Sequence, residues 1–197
     1  MFQESIYSMS ATLYLIRHAT PDWNRKDIRY DIPPGPQLTE QGEAEARQLG
    51  QFLQTTGITG IYASPMERTL RTAQIAAEFL GLDVVTDFDI IEWERSEAEA
   101  NVLARCRICL DAAFDESASR GPLALVTHGG PIRLLLADLG LDRAEMEHYR
   151  RIFDNDNPVP PAGVWRITRD AEGNYGKPEL VFAPQSYTRY APAIVYV

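Results

Sequence analysis

The chain has 197 residues, of which 45% are hydrophobic and 24% are charged, a balance typical of globular proteins that fold in water. Its apolar runs are much shorter than the ~20 residues that a membrane helix requires. Residues 1–11 lack the basic and apolar blocks of a secretion signal. We therefore expect one domain over residues 1–197, with residues 1–11 as an N-terminal tail, in the cytoplasm and without a membrane partner.

The formal net charge of −9 argues against a nucleic-acid partner, because a phosphate backbone requires a basic protein surface. The same charge repels small anions at long range. If the ligand carries a phosphate group, a local cluster of arginines must therefore attract it.

The two cysteines, Cys106 and Cys109, form a C-x-x-C pair without a second pair elsewhere. A structural zinc site normally needs four ligands, so the pair is a weak metal motif. Their spacing continues the apolar face of a helix, and cysteine is often a small buried hydrophobe. We expect both side chains in the core.

The N-terminal part predicts a strand, a long loop and a helix. The β-branched and apolar run Thr12–Ile16 predicts a buried strand, and the proline-rich stretch from Pro21 to Gln37 predicts a loop. Thr39 is expected to cap a helix that Gly57 ends.

Strands and helices continue to alternate in the middle of the chain. Gly60–Ala63 predicts a second strand, and Ser64–Pro65 is expected to open a helix that closes at Gly81. Val84–Val85 predicts a brief third strand, and the apolar periodicity of Ala98–Phe114 predicts another helix.

The C-terminal part predicts, in order, a strong strand at Leu123–Thr127, a break at Gly129–Gly130, a helix at Ile132–Leu139, a loop at Asp154–Gly163, and strands at Val164–Thr168 and Glu179–Phe182. The alternation predicts an α/β fold, a three-layer α/β/α sandwich with a mainly parallel central sheet. In such sheets, ligands bind beyond the carboxyl ends of the strands.

Two histidines and two arginines follow the predicted strands. Arg17 and His18 follow the first strand, Arg68 lies one turn into the helix after the second, and His128 follows the strongest strand. A neutral imidazole can attack phosphorus, and guanidinium groups both keep the imidazole neutral and bind phosphate oxygens. We therefore expect phosphoryl chemistry here, with the ring of His18 open to solvent and to a tetrahedral anion.

Four segments resemble, in order, the motifs of the histidine phosphatase superfamily, whose members include phosphoglycerate-mutase-like phosphatases. They are Arg17–Asn24 (R-H-G-[ET]-x-x-x-N), Leu38–Gly42 (L-T-x-x-G), Tyr62–Ala73 (S-P-x-x-R-[TA]-x-x-T-A) and Val126–Gly130 ([VS]-x-H-G-G). The resemblance implies a phosphoryl-transfer enzyme that needs neither a metal nor a cofactor.

The resemblance also implies residue roles. His18 would be phosphorylated, with Arg17, Arg68 and His128 as the other groups around the phosphoryl group. The residues expected to bind the substrate or its phosphate are Arg17, Asn24, Arg68, His128 and Gly129. Glu92 is expected to be the catalytic proton donor. Glu94 is the alternative, because the glycines that the family often carries around this position are absent here.

The expected function is hydrolysis of a small phosphomonoester. The stretch between Glu92 and the strand at Leu123 has room for one helix and little else, which would leave the site open to water. A mutase, a phosphoprotein phosphatase of the same superfamily and a non-catalytic phosphate-binding protein are the alternatives. No motif indicates the substrate or the oligomeric state.

Overall fold

The computed structural model describes residues 10–153 and 157–189. The elements are, in chain order, β1 (Ala11–Arg17), α1 (Glu40–Leu53), β2 (Gly60–Ala63), α2 (Glu67–Glu78), β3 (Val84–Thr86), α3 (Glu99–Arg120), β4 (Leu123–Thr127), α4 (Gly129–Asp138), α5 (Arg143–Ile152), β5 (Val164–Arg169) and β6 (Glu179–Phe182). Residues 1–9 of the expected tail and 154–156 of the expected loop lie outside the described residues. Ala11, expected in the tail, begins β1.

The six strands form one sheet in the order β3-β2-β4-β1-β5-β6. β4 pairs in parallel with β1 and β2, and β2 pairs in parallel with β3. β5 is antiparallel to both of its neighbours, β1 and β6. The expectation of an α/β fold with a mostly parallel sheet is confirmed. β1 and β4 lie side by side in the middle of the sheet, so their carboxyl ends adjoin.

Side chains of β1 alternate between two cores, one on each face of the sheet, as the two-residue period of a strand requires. Leu13 and Leu15 pack in a cluster that includes residues of α3 and α4. Tyr14 and Ile16 pack in a second cluster that includes residues of α1 and α2. Helices therefore cover both faces of the sheet.

One helix, α5, was not expected, and another, α3, is longer than expected. α5 was not predicted, because its sequence is mostly charged and Met146 is its one buried residue. Asp142 caps α5 by accepting from the backbone N–H groups of residues 144 and 145. α3 continues beyond Phe114 to Arg120. No helix within residues 10–153 or 157–189 has both the length and the apolarity needed to cross a bilayer.

Two other helices begin at different residues from those expected. α2 begins at Glu67 rather than at Ser64, since the hydroxyl of Ser64 contacts His128 (Oγ to Nε2, 2.8 Å) and the chain is still extended at Met66. α4 begins at Gly129 rather than at Ile132. The two glycines were expected to end the strand and precede the helix, but they form the first two residues of α4.

Cys106 and Cys109 lie on the buried face of α3, as expected. Burial raises the pKa of the Cys106 thiol to about 12 and also raises the pKa of Cys109. Both thiols are therefore protonated at neutral pH and behave as core side chains.

Candidate active site

The carboxyl ends of β1, β2 and β4 bring His18, Ser64 and His128 together. The ring centroids of His18 and His128 are 5.3 Å apart, and the backbone N–H of His18 donates to the carbonyl of Thr127 (2.9 Å). The Oγ of Ser64 lies 2.8 Å from Nε2 of His128. The expected convergence of the two histidines is thus present, and Ser64 is an addition that its sequence position did not indicate.

The ring of His18 has one tautomer that fits its surroundings. Its Nδ1 lies 2.7 Å from the carbonyl oxygen of Ala19, which can only accept, so Nδ1 carries the proton. In the neutral ring, Nε2 then has the free lone pair. The hydroxyl of Tyr30 lies 3.2 Å from Nε2 and donates to it.

The surroundings of His18 favour its neutral form. Burial lowers its pKa well below the ordinary value, and the positive charges of Arg68 and Arg17 lower it further. Burial and Arg68 also lower the pKa of His128. Both rings are therefore uncharged at neutral pH, as a nitrogen nucleophile must be.

Arg68 on α2 is fully buried and has free hydrogen-bonding capacity. Its Nη2 donates to Oε2 of Glu92 (3.0 Å). Its Nε and Nη1 have no hydrogen-bond partner within the part of the chain that the structure describes. Buried donors without a partner are rare in proteins. Such donors beside a neutral imidazole are suited to an anionic ligand.

Arg17 approaches the same centre from the end of β1. Its side chain is buried, and its Nη1 donates to the carbonyl of Val159 (2.9 Å). This bond ties the end of β1 to the segment that precedes β5. Arg17 and Arg68 supply the local arginine cluster that the acidic net charge requires of a phosphate site.

Of the two candidate proton donors, Glu92 is the one that lies with the histidines. Its Oε2 is 3.0 Å from Nη2 of Arg68 and 3.3 Å from Nδ1 of His128. Glu94 has a side chain that is 46% exposed and lies 3.7 Å from Nη2 of Arg29. The geometry therefore favours Glu92, although the role of either residue stays a prediction.

Arg105 on α3 holds the segment that carries Glu92. Its Nη1 donates to the carbonyls of Asp89 (2.8 Å) and Ile91 (2.7 Å), and its Nη2 donates to the carbonyl of Glu92 (3.1 Å). Its Nε and Nη2 also bind the carboxylate of Glu97. The family's glycines are absent from this segment, and one guanidinium fastens its backbone to α3.

Replacing Arg105 with alanine should loosen this segment and destabilise the protein. The change removes six hydrogen bonds, one of them to the sulfur of Cys106, and leaves Glu97 without its arginine, so we expect a loss of about 3 kcal/mol in the free energy of unfolding. Arg107→Ala is the matched control, since Arg107 pairs with Asp111 and Asp138 away from the segment, and should cost less than about 1 kcal/mol. Urea unfolding of both variants measures the difference, and equal losses would contradict the role of Arg105.

A buried carboxylate supports the backbone that follows His18. Glu45 on α1 is fully buried and accepts from the N–H (2.7 Å) and the hydroxyl (2.8 Å) of Thr20. Burial raises the pKa of Glu45. The N–H of Ala19 donates to the hydroxyl of Thr72 (3.0 Å). No sequence signal marks Glu45 as a buried site residue, because an acidic residue on a helix is usually exposed.

Gly129 lines the cavity beside His18, but Asn24 does not. A Cβ atom at position 129 would lie 1.9 Å from Oδ1 of Asn157, so any larger residue there would require the Asn157 side chain to move. Asn24 is exposed in the loop after β1, and its backbone N–H donates to the carboxylate of Asp22. A substrate contact for Asn24 stays a prediction that its position does not support.

Two neighbouring cavities lie beside these residues. The His18 cavity, of about 550 Å³, has His18, Glu92 and Trp93 in its lining. The loop cavity, of about 680 Å³, is lined largely by the loop after β1, including Trp23 and Ile28. Both volumes fall in the range of small-molecule sites. The lining residues that the two cavities share are Arg17, Tyr30, Asp31, Arg95 and Asn157.

The expectation that the ring of His18 is open to solvent is wrong for this conformation. His18 is 1% exposed. The phenol of Tyr30 lies against its Nε2, and the Tyr30 ring lies over the guanidinium of Arg68. The cover comes from the proline-rich loop, in which no sequence pattern marked a residue that would fold inward.

His18, Glu92 and His128 offer ligand atoms that all lie within 4.8 Å of one another, so they are the one candidate metal cluster in the described ranges. Nδ1 of His18 is occupied by the carbonyl of Ala19, and Glu92 is paired with Arg68. Two guanidinium groups next to the cluster disfavour a cation and favour an anion. That the protein needs no metal stays a prediction.

Comparison with known proteins agrees with this geometry. Residues 13–101 match the model of the histidine phosphatase superfamily (branch 1). The probable phosphoglycerate mutase GpmB of Salmonella typhi is 37% identical over 87 residues, which are 44% of this chain and 40% of the relative. The corresponding protein of Enterobacter sp. (strain 638) is 40% identical over 38% of this chain and 34% of its own length. The matched stretch is thus well under half of either relative.

Solved structures extend the likeness over most of the fold. The phosphoglycerate mutase of Bacillus anthracis str. Sterne has a TM-score of 0.73 and 18% identity, over 88% of this chain and 93% of that one. A mycobacterial glucosyl-3-phosphoglycerate phosphatase has a TM-score of 0.65 and 21% identity, over 90% of this chain and the whole of that one. In its motifs, in the family model over residues 13–101 and in its fold, the chain is similar to the histidine phosphatase superfamily.

Proposed function

We propose that the chain hydrolyses a phosphomonoester through a phosphohistidine formed on His18. The observation that carries this proposal is the bond between Nδ1 of His18 and the carbonyl of Ala19 (2.7 Å), which leaves the lone pair on Nε2. Arg17 and Arg68 act on the same ring through their charges. A nucleophilic nitrogen beside two cations is the arrangement that in-line phosphoryl transfer requires.

In the first step, Nε2 of His18 attacks phosphorus, and the bond between phosphorus and the ester oxygen breaks. The unpaired donors of Arg68 bind the oxygens of the transferring group and stabilise its charge. Glu92 gives its proton to the leaving oxygen.

In the second step, water attacks the phosphorus of phosphohistidine and the N–P bond breaks. The Glu92 carboxylate takes the proton from that water, so the acid is restored and inorganic phosphate leaves. Nδ1 of His18 keeps its proton throughout and donates it in the hydrogen bond to the carbonyl of Ala19. The ring therefore returns to its starting tautomer. His128, neutral and bonded to Ser64, fills the space beside the phosphoryl group without adding a charge.

A mutase is the second candidate, because both relatives described above are named probable phosphoglycerate mutases. A mutase must keep water from the phosphohistidine until a second substrate accepts the phosphoryl group. The stretch between Glu92 and β4 has one helix, α3, and adds no further element to the cover that Tyr30 gives His18. This observation favours water as the acceptor, and hence a phosphatase.

The two candidates differ in where the phosphoryl group goes. We expect the purified protein to release inorganic phosphate from p-nitrophenyl phosphate in EDTA. We also expect it to prefer one of a panel of phosphorylated metabolites. Transfer of ³²P from a phosphorylated donor to phosphoglycerate, faster than its release as phosphate, would instead establish a mutase. No turnover on any substrate would leave a phosphate-binding protein.

Glu92→Gln should show a defect that depends on the leaving group. We expect a loss of about 10²- to 10⁴-fold in kcat with an alkyl phosphate, whose oxygen must be protonated as it leaves. The loss should be much smaller with p-nitrophenyl phosphate, whose phenolate leaves without a proton. Glu94→Gln is the control and should leave both rates nearly unchanged. A leaving-group-dependent loss in that variant would assign the acid to Glu94.

A further inference from the structure

Tyr30 touches both groups that the proposed mechanism needs for the phosphoryl group. Its hydroxyl donates to Nε2 of His18 (3.2 Å). The centroid of its ring lies 4.0 Å from the guanidinium carbon of Arg68, which is the distance of a cation–π contact. Tyr30 belongs to the loop between β1 and α1, so its position is independent of the strand ends that carry the other site residues.

These contacts are incompatible with a bound phosphoryl group. The lone pair of Nε2 cannot accept from Tyr30 and attack phosphorus at the same time. The ring also lies on Arg68, whose Nε and Nη1 have no hydrogen-bond partner among the described residues. An anion that binds both His18 and Arg68 must therefore displace Tyr30.

Loop residues on either side of Tyr30 contact the buried Arg68 and also residues nearer the surface. A Cβ atom at Gly35, where φ is +66°, would lie 2.6 Å from Nη1 of Arg68, so the loop backbone approaches Arg68 closely. Asp31 accepts from the backbone N–H of Arg95 (3.2 Å) and pairs with the exposed Arg29. An ion pair with an exposed partner, such as Arg29–Asp31, is individually weak, so it adds little to the cost of moving Tyr30.

A displaced Tyr30 has space to enter. Tyr30 lines the loop cavity of about 680 Å³ as well as the His18 cavity. The lining of the loop cavity includes the apolar side chains of Trp23, Ile28 and Pro36. A phenol ring that turns away from His18 can therefore remain packed against apolar surface.

We propose that Tyr30 competes with the phosphoryl group for His18 and Arg68 and thereby sets the affinity of the site for phosphate. This inference rests on the proposed function, since it requires that His18 and Arg68 form the phosphoryl site. A bare phosphate ion must displace Tyr30 without help. A substrate whose leaving group contacts the opened loop recovers part of that cost, so Tyr30 favours substrate over product.

The test is the affinity of the purified protein for inorganic phosphate, measured by isothermal titration calorimetry. Tyr30→Ala removes both contacts, and we expect it to bind phosphate about tenfold more tightly than the parent, which corresponds to about 1.4 kcal/mol. Tyr30→Phe keeps the ring over Arg68 and loses only the hydroxyl, so we expect an intermediate gain of about threefold. With p-nitrophenyl phosphate as the substrate, added phosphate should inhibit the parent least, Tyr30→Phe more and Tyr30→Ala most.

Ile28→Ala is the control, because Ile28 lies in the same loop and lines only the loop cavity. Its phosphate affinity should equal that of the parent, and an equal gain there would assign the effect to the loop as a whole and overturn the role of Tyr30. Unchanged or weaker binding in Tyr30→Ala, with the parent's circular dichroism spectrum, would also overturn it. If Arg68→Ala binds phosphate as well as the parent, the anion site itself is elsewhere, and the proposed function fails rather than the competition alone.

Discussion

His18→Ala is expected to lower turnover of p-nitrophenyl phosphate by at least about 10³-fold, because it removes the atom that accepts the phosphoryl group. The fold should persist, since the ring contributes one hydrogen bond to Ala19 and a contact with Tyr30 rather than filling either core cluster. Quenching the parent enzyme during turnover should trap an acid-labile phosphorylated protein. The variant should give no such species.

The matched control is His148→Ala, which makes the same chemical change at an exposed histidine on α5. Its turnover should equal that of the parent. Activity of His18→Ala near the parent level would refute the nucleophilic mechanism. If His18→Ala is inactive but still forms a phosphorylated protein, another residue accepts the phosphoryl group.

Arg68→Ala is expected to lower turnover by about 10²- to 10³-fold and to weaken phosphate binding as well, because it removes the buried donors that stabilise the transferring group. It also removes a positive charge that lowers the pKa of His18. The pKa of His18 should therefore rise toward the ordinary value of about 6.5. In the parent, activity should persist below that pH and fall only when the pH passes through the lowered pKa. In the variant, this acidic limb of kcat/KM should move to higher pH.

Arg71→Ala on the same helix is the control for the loss of an arginine. Arg71 pairs with Glu43 at the surface (3.0 Å), and its side chain is 42% exposed. We expect its turnover and its pH profile to match the parent. If Arg68→Ala lowers only the melting temperature and leaves turnover and the pH profile unchanged, Arg68 has a structural role.

Local sequence patterns were sufficient for the elements that form the sheet. The runs Thr12–Ile16, Gly60–Ala63 and Leu123–Thr127 are apolar because the strands are buried on both faces, and burial leaves a clear pattern. α5 escaped prediction for the opposite reason, since it packs mainly through Met146 and its other residues are polar or partly exposed. The glycine pair at 129 and 130 predicts a later start for α4 than the one observed. Gly129 instead lies in the first turn of that helix, against Asn157.

The choice between Glu92 and Glu94 shows what local patterns cannot decide. The two residues are two positions apart, and both are glutamates beside Trp93. Contacts from distant parts of the chain separate them: Arg105 binds the carbonyl of Glu92, and Arg68 binds its carboxylate, whereas Glu94 lies near Arg29. Since these partners come from other elements, the distinction exists only in the folded chain.

Strand burial and the order of the motifs are properties of local segments, and for that reason they indicate the fold class and the residues at the strand ends, Arg17, His18 and His128. Which side chains surround Nε2 of His18 depends on how distant segments fold together. Ser64 turns to His128, Glu45 holds Thr20, and Tyr30 covers His18 and Arg68. Each of these contacts joins residues that are distant along the chain or separated by an irregular loop, and no periodicity of the sequence specifies such a pair.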